Sequence, residues 1–261
     1  MEELAVKGLV VKATDYGDFD KLLTLVTEDK GKISVTVKGG KSLKSKFVAV
    51  CEPFTYAALN IRRTNKYFYV YDSELLEDFY PIRDSIEKFS LASYICDVAS
   101  EVSLEGVSDP EILQLTLNAL WALSYKDTPI SLIKGAYEFK TAVVCGFMPD
   151  LTCCDICQKE EFSEAYIDTR GGRLICDNCL KLGHMRNGLD EMSILLPVSG
   201  STLASLRYIA ASPIKKFLSF RLDETEMGTF SNACEKYLIN HLEKDFFTLS
   251  FYKSVVQNDL K

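Results

Sequence analysis

"KLLTLVTEDKGKISVTVKG", Lys21 to Gly39, decides how the first third of this chain reads. Lys21–Glu28 and Lys32–Gly39 are short runs rich in aliphatic and β-branched residues, the composition of strands. The "EDKGK" between them is a tight-hairpin signal, with Gly31 free to take a positive φ. Working outward, Ala5–Ala13 reads as a strand before the hairpin. Pro53–Arg63 and Lys66–Leu76 read as two more after it.

Five strands in about 80 residues, with no helical period between most of them, predict a small barrel or sandwich. The five-stranded OB barrel, which binds oligonucleotides and oligosaccharides, fits that description. "FYPIRD", Phe79 to Asp84, is the punctuation, after which the apolar spacing becomes helical. Helices are expected from about Ile86, from Ser108 or Asp109 as a cap with Pro110 in the first turn, and over Ile130–Phe147. Two more are expected over Ser199–Ala211 and from about Asp223 through Lys244. The predicted class is α+β: a barrel over 1–80, a helical part over 81–150, a cysteine-bearing insert over 151–183 and a second helical part over 184–261.

A chain of 261 residues with 47% hydrophobic content can bury a proper core. No window reaches the roughly 18 apolar residues that span a bilayer. The opening "MEELAVKGLV" places acids where a secretion signal needs bases, so a cytoplasmic protein is expected. Net charge is −7, but it is unevenly placed. The first 80 residues carry twelve basic and twelve acidic side chains, so the later part holds the whole deficit. Gly31–Cys51 contains no acid, and a local field of that kind can draw a polyanion to an acidic protein.

There are nine cysteines. An odd number in a reducing compartment reads as metal ligands and core positions rather than disulfides. Cys154-x2-Cys157 and Cys176-x2-Cys179, 18 residues apart, have the spacing of a four-thiolate zinc ribbon. Gly171–Arg173 reads as the turn of a hairpin leading to the second pair. Cys153 has the wrong spacing and is the spare, expected to be a small buried side chain. Cys51, Cys96, Cys145 and Cys234 read as core, and His184 as a weaker alternative ligand. Four thiolates close the coordination sphere, so such a zinc would be structural rather than catalytic.

"VKGGKSLKSK" holds Lys38, Lys41, Lys44 and Lys46 on a glycine-rich loop, where they could meet phosphates. Arg62, Arg63 and Lys66 add to this charge. Tyr67, Tyr69 and Tyr71 alternate along the last strand, so one face shows phenol rings that could stack on bases. Enzyme readings find little support: the only histidines are His184 and His241, and no phosphate loop, dinucleotide fingerprint or nucleophile elbow is present. Three readings stand: a nucleic-acid-binding and adaptor protein, a zinc-ribbon module that contacts proteins without touching DNA, and an enzyme of unrecognised type.

Longer stretches carry a resemblance. "LVVKATDYGDFDKLLTLVTEDKGKISVTVKGGKSLKSK", "CEPFTYAAL", "DSELLEDF", "CGFMPDLTCCDIC" and "CEKYLINHLEKDFFTLSFYKS", in that order, resemble bacterial RecO, the recombination-mediator family of DNA repair. The Gly-Phe-x-Pro-x-Leu-x-x-Cys entry also favours Cys154 as first ligand; Asp18 stands where the family more often has Glu. The resemblance implies an N-terminal OB domain, a helical C-terminal domain, a bound zinc, and no nucleotide hydrolysis or small-molecule substrate. It further implies binding of single- and double-stranded DNA, annealing of complementary strands, and a nucleoid-associated place in the cytoplasm. Its implied partners are RecR, and the tail of single-strand-binding protein on strands where RecA is to be loaded.

Overall fold

The computed structural model describes residues 2–64, 67–182 and 194–259. The chain divides into two compact units: Met1–Asp127 with Phe246–Lys261, and Thr128–Asp245. Grouping by contact thus places the first helices and the last one with the strands, and sets the cysteine region among the remaining helices.

The first unit is built on β1 (Glu2–Tyr16), β2 (Asp20–Thr27), β3 (Gly31–Val37), β4 (Tyr56–Thr64) and β5 (Tyr67–Glu77). They close into a barrel in the order β1-β2-β3-β5-β4, the expected OB architecture. β1 is long enough to serve two neighbours. A bulge between Val10 and Lys12 bends it, and Gly8 pairs with Thr27 on one side and Ala57 on the other. The β3–β5 seam is parallel and short, pairing Val35 with Phe68 and Thr36 with Tyr69. Alternate residues fill the interior: Val6, Val10, Leu23, Leu25, Val35, Leu59 and Ile61, with Phe47, Val50 and Cys51 supplied by the loop after β3.

The hairpin forms where the sequence predicts it. Gly31 sits at φ +59°, and a Cβ there would lie 2.1 Å from the Leu104 carbonyl oxygen and 2.4 Å from that of Val107. Only glycine fits. The Thr27 hydroxyl donates to the Gly31 carbonyl at 2.8 Å and accepts the Lys30 N–H at 3.1 Å, which locks the turn.

α1 (Ile86–Val102) starts at Ser85, whose side chain accepts the Lys88 N–H; α2 (Pro110–Tyr125) starts at Asp109, which accepts the Ile112 N–H at 3.2 Å. The last helix in this unit, numbered α7 in chain order (Phe247–Asp259), packs on α1. The Tyr94 and Phe246 rings meet edge-on at 5.6 Å, and Thr248 donates to Asp97 at 2.7 Å.

The second unit contains α3 (Ile130–Val144), β6 (Asp150–Cys154), β7 (Glu164–Asp168), β8 (Arg173–Cys176), α4 (Asp177–Lys181), β9 (Leu195–Ser199), α5 (Gly200–Ala211) and α6 (Glu224–Leu242). The sheet order is β6-β8-β7-β9, so the sheet runs past residue 183 to recruit β9. Every residue of α3 from Leu132 to Ala142 is buried, the mark of a central helix. Its charged residues are all answered. Lys134 lies 2.9 Å from Glu138 and 2.8 Å from Glu235 of α6. The Lys140 ammonium donates to the carbonyls of Ile209, Ala210 and Ser212 at 2.7–3.2 Å and so caps the C-terminus of α5.

Two expectations change. The helix expected from Asp223 forms, but Cys234–Ser254, the stretch that resembles one C-terminal helix, is shared by two: Glu243 takes φ +48°, ending α6 at Leu242 before α7 begins at Phe247. No glycine or proline marks that stop. Cys153 is half-buried rather than buried, because along β6 it faces away from Cys154.

Candidate metal centre and nucleic-acid face

Cys154 ends β6, Cys157 follows in the next turn, Cys176 ends β8 and Cys179 lies in α4. The knuckle is shaped by the backbone. Asp155 N–H donates to the Leu174 carbonyl and Gln158 N–H to that of Cys154, both at 2.8 Å, and Gln158 turns the chain at φ +60°. The expected hairpin delivers the second pair: β7 and β8 run antiparallel around Gly172 at φ +61°, whose N–H donates to the Asp168 carbonyl at 2.9 Å.

The four sulfurs lie within 4.8 Å of one another, and Cys157 Sγ is 3.7 Å from Cys176 Sγ. A tetrahedron with metal–sulfur bonds of about 2.3 Å has edges of about 3.8 Å, so the donor set has the size to hold one metal ion. Its electrostatics point the same way. Burial pushes the Cys154 thiol up, but the N–H groups of Cys157, Cys176 and Ile156 together outweigh it and bring it down to about 7. Burial raises Cys176 and Cys179; the Cys157 and Cys154 thiols add to this in both, while the N–H and thiol of Cys179 pull Cys176 partly back. Metal binding needs the thiolate form, which the backbone N–H groups favour at Cys154. The scattered cysteines differ: burial raises Cys51 to about 11 and also pushes up Cys96 and Cys234. The Cys153 sulfur turns to Gln158 Oε1 at 3.2 Å, away from the cluster. Cys145 is half-buried beyond the end of α3, and His184 lies outside the described residues.

Two arginines hold this site, and neither was legible in the sequence. Arg207 of α5 donates to the carbonyls of Leu151 at 2.7 Å, Thr152 at 2.8 Å and Glu160 at 3.0 Å, which bracket the Cys154–Cys157 turn. Arg173 pairs with the buried Asp168 at 3.1 Å and reaches Asp155 in the turn at 3.4 Å.

On the barrel, the predicted basic residues divide into groups. Lys38 Nζ stands 4.8 Å over the Tyr69 ring, and Lys46 donates to the Tyr71 carbonyl at 2.9 Å. The Arg62 guanidinium lies 5.1 Å from the Tyr71 ring centre, and Arg63 is 5.7 Å from that of Phe68. Tyr71 is a bulge residue, since pairing slips between Asn60↔Asp72 and Ile61↔Val70. Tyr67 is exposed on the same strand. So Lys38, Lys46, Arg62, Tyr69 and Tyr71 come together on one side of the barrel. Glu3 shares it, accepting from Arg62 at 2.7 Å. Lys44 is exposed within the loop. Lys41 turns elsewhere: it donates to the Gly17 carbonyl at 2.8 Å and lies 3.4 Å from Asp15. Lys66 lies outside the described residues. Among those residues no helix is long and apolar enough to cross a membrane.

With this geometry in place, comparison with known proteins is specific. The family model described as Recombination protein O N terminal matches residues 1–79, and that described as Recombination protein O C terminal matches residues 83–249. Among similar proteins, each named DNA repair protein RecO, that of Acetivibrio thermocellus is 27% identical over 98% of this chain and 98% of its own. That of Dehalococcoides mccartyi is 27% identical over 99% and 98%, and that of Caldanaerobacter subterraneus 27% over 96% and 98%. The closed N-terminal barrel, the helices after it and the two matches, which together span most of the chain, lead to one conclusion: this chain belongs to the RecO family of DNA repair proteins.

Proposed function

We propose that this protein is a recombination mediator that binds single- and double-stranded DNA and anneals complementary strands. With RecR it would help load RecA on strands coated by single-strand-binding protein, in the cytoplasm at the nucleoid. The observation that carries the reading is the meeting of Lys38, Lys46 and Arg62 with Tyr69 and Tyr71 on one barrel face. Cations there would neutralise phosphates, and ring faces would receive bases. Annealing needs no catalytic group, because base pairing supplies the free energy; the protein has only to neutralise two strands and hold them close. Zinc, held by Cys154, Cys157, Cys176 and Cys179, would fix the insert and take no part in chemistry. Purified protein is expected to turn over neither ATP nor DNA.

The test is a salt titration with a single-stranded oligonucleotide. Lys41 is held by Gly17 and Asp15 with its side chain only 28% exposed, whereas Lys46, which meets the Tyr71 carbonyl and Asp72, keeps 66% of its side chain exposed, so three loop lysines are counted: Lys38, Lys44 and Lys46. At about −0.7 per phosphate contact they contribute a slope of roughly −2, a loss of about 20-fold between about 50 and 200 mM salt. The triple alanine variant should flatten the slope by that amount and slow annealing. Unchanged slope and affinity would move the protein to the adaptor reading. One feature favours that alternative: an open groove beside the cysteine cluster, lined by the exposed Ile156 and Leu182 with Lys159.

A further inference from the structure

The turn between β1 and β2 and the basic loop form one braced tip. Lys41 N–H donates to the Phe19 carbonyl at 3.1 Å, and Lys41 Nζ to that of Gly17 at 2.8 Å. From the other side, the Asp20 carboxylate accepts the Gly39 N–H at 2.8 Å. These bonds fix two otherwise independent turns against each other. On this tip two large apolar side chains face water: Phe19 is 74% exposed and Leu43 89%. Neither fills the core, and the scaffold beneath them is ordered by four polar contacts once the Lys41–Asp15 pair is included. A ring held out on a braced support is presented, already positioned, to whatever can stack on it.

We propose that Phe19 is a stacking platform for an unpaired nucleobase, and that it biases this protein towards single strands over duplex. The inference rests on the DNA-binding reading above and goes beyond it by assigning the tip a role in strand discrimination. Charge favours a nucleic acid over an acidic or neutral protein surface. Asp15 is paired with Lys41 and Asp20 is engaged by Gly39, which leaves Asp18 as the exposed acid beside the ring; against it Lys38, Lys44 and Lys46 rise from a segment without a single acid, Lys46 lying 4.0 Å from Asp72 of β5. A strand whose phosphates follow those lysines would pass within reach of the ring. In a duplex the bases are already stacked on one another, so the ring would find no free face.

The experiment measures affinities of wild type, Phe19→Ala and Phe19→Trp for three probes of equal length: a single strand, the duplex, and an abasic strand with the same phosphates. Stacking of one base contributes enough that Phe19→Ala should weaken single-strand binding about tenfold. Duplex and abasic affinities and the salt slope should stay unchanged, and Phe19→Trp should bind the single strand at least as well as wild type. Equal losses on all three probes would show that Phe19 only shapes the loop, and overturn the proposal. Full single-strand affinity in Phe19→Ala, with the triple lysine variant impaired, would overturn it and leave the DNA-binding reading intact; the ring would then be a protein contact. If wild type binds no probe at all, both readings fall together. Because Phe19 is exposed, the variants should melt within a degree or two of wild type, which separates these outcomes from misfolding.

Discussion

Replacing Arg207 by Met keeps the aliphatic stem and removes the guanidinium that ties three carbonyls together. Those carbonyls belong to Leu151 and Thr152 on one side of the first cysteine pair and Glu160 on the other, at 2.7 to 3.0 Å. A hydrogen bond from a charged donor is worth roughly 1.5–3 kcal/mol when sheltered. Two of these three lie in exposed surroundings, where water takes over much of each, so about 2–3 kcal/mol in all is the reasonable sum. If the clamp holds the knuckle in its metal-binding shape, that becomes about 30- to 150-fold in metal affinity. The span agrees with the roughly 10- to 100-fold expected for a residue that orients metal ligands without touching the ion. The assay is competition with a chromophoric chelator, reading the concentration that removes half of the metal. It should fall by about that factor in Arg207→Met. Arg207→Lys, which can reach one carbonyl rather than three, should fall between. A midpoint within twofold of wild type would refute the reasoning, and a lowered melting temperature with that unchanged midpoint would make Arg207 a staple of the fold alone.

Other substitutions have definite expected outcomes. Cys154→Ser should lose the bound metal, whereas Cys153→Ser, whose sulfur points to Gln158, should keep it; elemental analysis of the purified variants decides. Gly31→Ala should cost roughly 3 kcal/mol, because the added carbon meets the Leu104 and Val107 carbonyls at a positive φ, and denaturant titration would show it. Lys134→Met should cost about 3–5 kcal/mol by leaving Glu138 and Glu235 without their shared cation. Adding Glu138→Gln and Glu235→Gln should recover most of that loss in the same titration.

Much of this architecture was legible because the signals are short-range. Alternation along Leu23, Leu25, Ile33 and Val35 needs only the two-residue period of a strand. The cysteine pairs are legible because tetrahedral coordination dictates their spacing. Strand ends were not: β1 extends from Glu2 to Tyr16, since polar residues pair with β2 and β4 as well as apolar ones do. Arg207 was not, because its acceptors lie 47 to 56 residues away and are backbone atoms with no sequence signature. The division of the loop lysines depends on where the β1–β2 turn lies in space. The break at Glu243 is a backbone choice by a residue that ordinarily prolongs helices.

The first unit is interrupted in sequence: its last helix, α7, is separated from its other elements by the whole of Thr128–Asp245. During synthesis the Tyr94 side of α1 therefore has no partner while about 120 further residues are added. At roughly 5–20 residues per second that is on the order of 6–24 s. The second unit, continuous in sequence, is synthesised whole within that interval. The chain is thus made in an order in which every residue of the cysteine-bearing unit precedes the helix that seals the barrel unit. A nascent chain stalled ahead of Phe246 would present an uncovered apolar face to whatever chaperone waits at the exit tunnel.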